Sequence, residues 1–161
     1  AQASLYYHFG VKKEQVEDKV FGVFEHDVLI ENHVLTRGFT DTFLAPHSRH
    51  TKIEEEKLPN ISELDILAKS EGVGTFLLAT KDLRKIFVTG HIEYDADTLH
   101  NEYIRDKSSN LPIEIPANYY PGNDDTKTPK NRWRGIAYLF YHNWLNQVYQ
   151  QTPYNLRELG K

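Results

Sequence analysis

The sequence predicts an α/β protein whose sheet is open on one side, and three observations carry that expectation. The first half alternates branched and aromatic residues with polar ones, as strands do. The second half spaces its apolar residues at steps of three and four, as helices do, and a proline-rich stretch separates its two helical segments. A length of 161 residues with 39% hydrophobic content suits one domain with a core and is short for two.

Taken in order, Ala1 to Phe9 reads as a helix, with Leu5, Tyr6 and Phe9 on an apolar side and Gly10 as its stop. The chain contains no methionine. Because translation starts with one, the true beginning is expected upstream of Ala1, and this helix is expected to lack its cap. "KVFGVFEHDVLI" (19–30) sets Val20, Gly22, Phe24, His26 and Val28 against Phe21, Val23, Glu25 and Asp27, a strand pattern. "TDTFLAPHSRHT" is expected to be a short extended run ended by Pro46, leaving His47, Ser48, Arg49 and His50 in a solvated loop. Strands follow at 64–70 and in 74–90, the latter folding into a hairpin about Lys81–Lys85.

Asp95 or Asp97 can cap a helix that ends near Asp106, with Leu99, Tyr103 and Ile104 toward one face. From Lys107 to Asn131, Pro112, Pro116, Pro121 and Pro129 accompany Gly122 and paired aspartates in a long loop. From Arg132 to Pro153, the residues Trp133, Ile136, Ala137, Phe140, Trp144, Leu145 and Val148 form a helical stripe expected to be core. No internal repeat is present.

Composition narrows the function classes. Nineteen basic residues against 23 acidic ones, with no basic block, argue against a nucleic-acid surface. No apolar stretch reaches the ~20 residues of a membrane span, and no signal segment opens the chain. A cytoplasmic protein with small-molecule or protein partners is expected. The absence of cysteine excludes an internal disulfide framework and a thiolate metal site.

The stretch "FVTGHIEYD" (87–95) carries the main chemistry. If the strand period continues, His91 and Glu93 share a face, and Gly90 lets the backbone turn there. The carboxylate would then fix the imidazole tautomer, and a histidine side chain, which ordinarily titrates near pH ~6.5, can take and return a proton at neutral pH. The pair alone fits a structural role as well as a catalytic one. A metal reading competes for His91, Glu93, Asp95, Asp97 and His100, although the two aspartates are better used as caps. By themselves Lys19 and Arg105 read as ordinary surface charges. A His–carboxylate pair without a nucleophile leaves the chemistry incomplete.

The blocks "AQASLYYHFGV", "LTRGFTDTFLAPHSRHT", "IFVTGHIEYDADTLHNEYIRD" and "NWLNQVYQQTPYNL" together resemble the homoserine O-acyltransferase family of methionine biosynthesis, of the O-succinyltransferase type. The resemblance runs from Ala1 to about Leu156. It implies a class I glutamine amidotransferase-like, flavodoxin-like domain of which residues 1–161 are the C-terminal part. It also implies a nucleophilic cysteine in a C-W-[GA]-A-Q-A elbow, three residues before Ala1 and absent from the chain.

By the same resemblance His91 is the general base and acid, Glu93 its orienting partner, and Lys19, Ser48 and Arg105 bind L-homoserine, with the Arg105 fork on its carboxylate. An acyl group would pass from acetyl-CoA or succinyl-CoA, acetyl being preferred, through a cysteine thioester to the homoserine hydroxyl. Acyl-CoA is then a co-substrate, no cofactor or metal is implied, and the complete protein is expected to be a homodimer. A glutaminase-type amidotransferase and a non-catalytic fragment are the alternatives. The chain alone is expected to be inactive.

Overall fold

The computed structural model describes residues 1–158. Five antiparallel strands form one sheet in the order β2-β1-β3-β4-β5: β1 (Lys13–Val28), β2 (Thr42–Ile53), β3 (Leu64–Ser70), β4 (Gly74–Thr80) and β5 (Ile86–Val88). Three longer helices accompany it, α1 (Gln2–Phe9), α2 (Thr98–Ser108) and α3 (Arg134–Gln151). The α/β class read from the sequence therefore holds, with β2 and β5 as the sheet edges.

Helix α1 ends as its sequence requires. Gly10 adopts a left-handed φ of 68°, and its N–H donates to the Tyr6 carbonyl at 2.9 Å. Ala1 stands at the N-cap position and offers no side-chain cap. Leu5 is fully buried with Val11, Ile53, Leu58, Leu64, Leu78 and Phe87, a cluster that fixes the helix near one end of the sheet.

β1 begins at Lys13, six residues before the branched and aromatic run. Its first part, "KEQVED", is rich in exposed charge and pairs only with the edge strand β2, so its side chains carry no burial pattern to read. Gln15 pairs with Thr51 and Val20 with Arg49, so four residues of β1 bulge opposite one of β2. Lys19 sits in that bulge.

Proline does not end β2. Pro46 faces Val23, whose N–H donates instead to the Ala117 carbonyl at 2.8 Å, so the ladder asks for no donor from the proline. On an edge strand its missing N–H costs nothing. His47 is consequently a buried strand residue, not part of a solvated loop. Ala117, in the long connection, lies along β1 and pairs with Gly22, and a side chain at Gly22 would run into the Ala117 backbone.

The hairpin about Lys81–Lys85 forms as expected, closed by Thr80 N–H to the Lys85 carbonyl at 2.9 Å. Asp97 takes the N-cap position of α2, but its side chain caps nothing; the first turn is bridged by Thr98 N–H to the Asp95 carbonyl at 3.3 Å. The stripe on α3 is core only at its start. Ile136, Ala137 and Phe140 pack on the central cluster of Leu35, Phe43, Leu67, Phe76 and Leu77, and Trp133 before the helix is fully buried. Trp144, Leu145 and Val148 are 39%, 58% and 44% exposed. Their core assignment is overturned in this chain: that part of the helix is tied down on one side only, where Asn143 donates to the Leu35 and Arg37 carbonyls, and the three apolar side chains stay exposed.

Candidate active site

β5 stops at Val88, and the chain turns immediately afterwards. His91 N–H donates to the Pro46 carbonyl at 2.8 Å, and Tyr94 N–H closes a turn onto the His91 carbonyl at 3.2 Å. His91 and Glu93 therefore lie at the carboxyl end of a strand, brought together by a turn and not by strand alternation. The side chains meet: His91 Nδ1 lies 2.8 Å from Glu93 Oε1. An ionised carboxylate only accepts, so Nδ1 carries the hydrogen and Nε2 of the neutral ring is left free to take a proton.

Partial burial pushes the Glu93 carboxyl up. The hydrogen bond from His91, the residue's own N–H and the His91 charge together outweigh it and hold the group below the ordinary carboxylate range. Glu93 thus stays ionised at neutral pH, as an orienting partner must. Tyr94 adds a second constraint, its ring stacked on the imidazole at 4.4 Å between centroids and 10° between planes. Its carbonyl accepts from Trp133 Nε1 at 2.9 Å, which ties the turn to the core.

Gly90 makes this approach possible. A Cβ there would come within 2.6 Å of the Phe76 ring and 2.9 Å of His47 Nε2. Behind the turn, His47 and His26 are both fully buried, with their Nε2 atoms 3.0 Å apart. One Nε2 must donate and the other accept, so the two rings are opposite tautomers; among the described residues, neither Nδ1 has a hydrogen-bond partner.

Lys19, Ser48 and Arg105 are brought together around Glu102 and Asp106 of α2. Lys19 Nζ lies 2.6 Å from Glu102 Oε1 and 3.5 Å from Asp106 Oδ2, and Ser48 Oγ donates to the same Glu102 oxygen at 2.7 Å. Arg105 pairs with Asp106 through Nη2 at 2.6 Å and Nε at 2.8 Å, and its Nη2 is 4.0 Å from Glu102. The Arg105 guanidinium holds the Asp106 carboxyl below its usual range, first through the hydrogen bond and then through charge. Burial, and after it the charges of Glu102 and Glu93, raise the Tyr94 hydroxyl.

Glu102, Asp106 and Tyr94 were not found from the sequence. The available signal was Glu102 and Asp106 at i and i+4 on one helix, a repulsive spacing unless a cation sits between them. The residues weighed as metal ligands do not converge: His91 bonds Glu93, and His100 Nδ1 bonds the Tyr120 hydroxyl at 2.7 Å. Among the described residues, the one close grouping of such ligands is Glu14, Glu54 and Glu56, away from this site.

A family model described as homoserine O-succinyltransferase matches residues 1–154. The chain belongs to that family. Among curated relatives, the homoserine O-acetyltransferase of Petrotoga mobilis is 54% identical over all of this chain and 52% of its own length. That of Desulfitobacterium hafniense, strain Y51, is 55% identical over 99% of the chain and 52% of its own length. The chain thus spans about half the length of the family relatives it matches.

Solved glutamine amidotransferases share the fold. One from Thermotoga maritima superposes with a TM-score of 0.60 at 15% identity, covering 94% of this chain and 58% of its own. One from Methylobacillus flagellatus gives 0.55 at 16%, covering 91% and 59%. The chain therefore has the glutamine amidotransferase-like fold anticipated from the sequence. Among the described residues, no helix is long and apolar enough to cross a membrane.

Proposed function

We propose that the protein to which this chain contributes is a homoserine O-acyltransferase acting in methionine biosynthesis, with His91 as its general base and acid. The observation that carries this reading is a histidine whose Nδ1–H is fixed by an ionised Glu93 while Nε2 stays free, beside a cluster containing Lys19, Ser48 and Arg105. The nucleophile in this reading is a cysteine outside the chain. Its thiolate attacks the acyl-CoA carbonyl, CoA thiolate leaves and takes a proton, and a thioester remains. His91 Nε2 then removes the homoserine hydroxyl proton as that oxygen attacks the thioester. Collapse of the intermediate expels the cysteine, to which His91 returns the proton.

Acetyl-CoA is the proposed donor, supported by the names of the relatives at 54% and 55% identity. Lys19, Ser48 and Arg105 hold homoserine, with the guanidinium on its carboxylate. The complete enzyme is proposed to be a homodimer.

Incubating the complete protein with acetyl-CoA or succinyl-CoA and weighing it by intact-mass spectrometry tests the first half-reaction; the expected gain is one acetyl group. With homoserine supplied, His91→Ala should cut turnover by ~10²-fold or more, the usual scale for an acid–base group. Full activity in that variant, or release of ammonia from glutamine in place of acyl transfer, removes the proposal.

A further inference from the structure

Gly90 leads into the turn that carries His91 and has no side chain of its own to hold it. Its backbone rests instead on two rings, since an added Cβ would come within 2.6 Å of Phe76 and 2.9 Å of His47 Nε2. A third ring stands behind both. His26 lies 4.6 Å from Phe76 and 5.1 Å from His47 between centroids, stacks on Phe43 at 5.3 Å, and meets His47 through the 3.0 Å contact of their Nε2 atoms. The following residue is tied to the same place: His91 N–H donates to the carbonyl of Pro46, the chain neighbour of His47.

For stability alone this polar pair is a poor choice. His26 and His47 are fully buried, and among the described residues neither Nδ1 finds a partner. Two orphaned ring nitrogens in an aromatic cluster weaken a fold that two apolar rings would fill without that loss. What the imidazoles add is direction. Burial keeps both neutral near pH 7, lowering His26 to about 4 and His47 to about 2, so their contact is an N–H···N hydrogen bond and not a repulsion. Such a bond prefers a nearly straight line and resists rotation of either ring, whereas apolar contact has no preferred direction.

We infer that His26 and His47 are positioning residues for His91: their hydrogen bond locks the His47 ring, the ring sets the Gly90 backbone, and the backbone aims His91 Nε2. This role rests on the reading of His91 as general base and adds the pair that holds it. Glu93 and Tyr94 fix the imidazole from within the turn, in its plane and across its face. The histidine pair fixes the turn itself. Displacing the turn moves Nε2 relative to the reacting hydroxyl, and a shift of about 1 Å is enough to cost ~10²-fold in rate.

Replacing both histidines by phenylalanine in the complete acyltransferase tests this role, because it keeps two rings and leaves no ring nitrogen unpaired. The doubly substituted enzyme, His26→Phe with His47→Phe, should unfold in urea at a midpoint equal to or above the parent's at neutral pH, while kcat for homoserine falls ~10-fold or more and its KM changes less than about twofold. The Nδ1 hydrogen of His91, seen by NMR as a downfield signal while Glu93 accepts it, should shift or broaden. Among single variants, His47→Gln keeps a donor and an acceptor to meet His26. It should retain more turnover than His47→Phe, the reverse of the order that ring volume alone predicts.

A folded double variant with parental kcat, or with the His91 signal unmoved, overturns the inference and leaves the acyltransferase reading intact, as does a kcat that falls only in step with the loss of folded protein. Should the double variant fail to fold, the single variants decide: turnover as high in His47→Phe as in His47→Gln counts against the role. Absence of homoserine acylation in the unmodified enzyme overturns the acyltransferase reading, and this inference with it.

Discussion

At the scale of single residues, His91 is held along two directions at once, in its plane by Glu93 and across its face by Tyr94. The pair H-x-E was legible because the two side chains are close in any extended or turned backbone. Its cause was not, since the strand ends at Val88 and the turn depends on a carbonyl supplied by Pro46, far earlier in the chain. Tyr94 was illegible for the same reason: a stack three residues away exists only once the turn is made. The stack yields a prediction. An aromatic face favours a cation above it and limits rotation of the ring it covers. Tyr94→Phe should keep near-normal turnover, while Tyr94→Leu should lower kcat by about 2- to 5-fold, corresponding to the ~0.5–1 kcal/mol of an exposed cation–π contact, with little change in KM for homoserine. In this chain, NMR should find the His91 ring protons shifted upfield by the Tyr94 ring current and released in Tyr94→Leu. Equal kinetics in the Phe and Leu variants would show that the ring contributes nothing.

At the scale of elements, the site is assembled from β2, the β1 bulge, the turn after β5 and helix α2. Strand existence was readable from alternation, but the fate of β2 was not. Proline reads as a stop because it lacks an N–H, and only the strand's place at the sheet edge, opposite a residue bonded elsewhere, shows that no N–H was needed. The same misjudgement hid His47, which continues the strand and supports the turn at Gly90. Replacing Gly90 by alanine tests that support. The added methyl would meet both the Phe76 ring and the His47 imidazole, two buried groups with no room to withdraw. Overpacking of this kind costs about 1–3 kcal/mol, so Gly90→Ala should lower the midpoint of urea unfolding without changing the slope. It should also disturb the His91–Glu93 contact, read as a loss of the upfield-shifted His91 signals. A variant as stable as the parent, with those signals in place, would mean the turn has slack that the geometry denies.

At the scale of the whole molecule, the α/β class and the family blocks were legible, while the environment of the last helix was not. Periodicity reports that a helix has an apolar side; it does not report what covers that side, and here Trp144, Leu145 and Val148 in the second half of α3 stay exposed. The chain's half-length match to its relatives is the context in which that exposure stands. The pH dependence of global stability is set by a feature with no sequence signature, the buried His26–His47 pair. Burial lowers His26 from 6.5 to about 4, with the nearby carbonyls of Phe24 and Phe43 opposing and the Arg49 charge adding slightly. Burial lowers His47 to about 2, with the charges of His26, Arg49 and His91 contributing. Both residues therefore bind protons less readily folded than unfolded. Above about pH 6.5 neither state is protonated and the full stability is present; as pH falls below 6.5, the unfolded chain takes protons first and stability drops. For His26 the loss continues at up to about 1.4 kcal/mol per pH unit until its folded value near 4, on the order of 2 kcal/mol by pH 5. Urea midpoints measured at pH 7.5, 6 and 5 should decline in that order. Replacing both histidines together by leucine removes the titration while leaving no single ring unpaired, so the double variant should lose most of that decline. A parent midpoint flat between pH 7.5 and 5 would mean that the pair is not buried and neutral in solution, and the tautomer argument built on its 3.0 Å contact would fail with it.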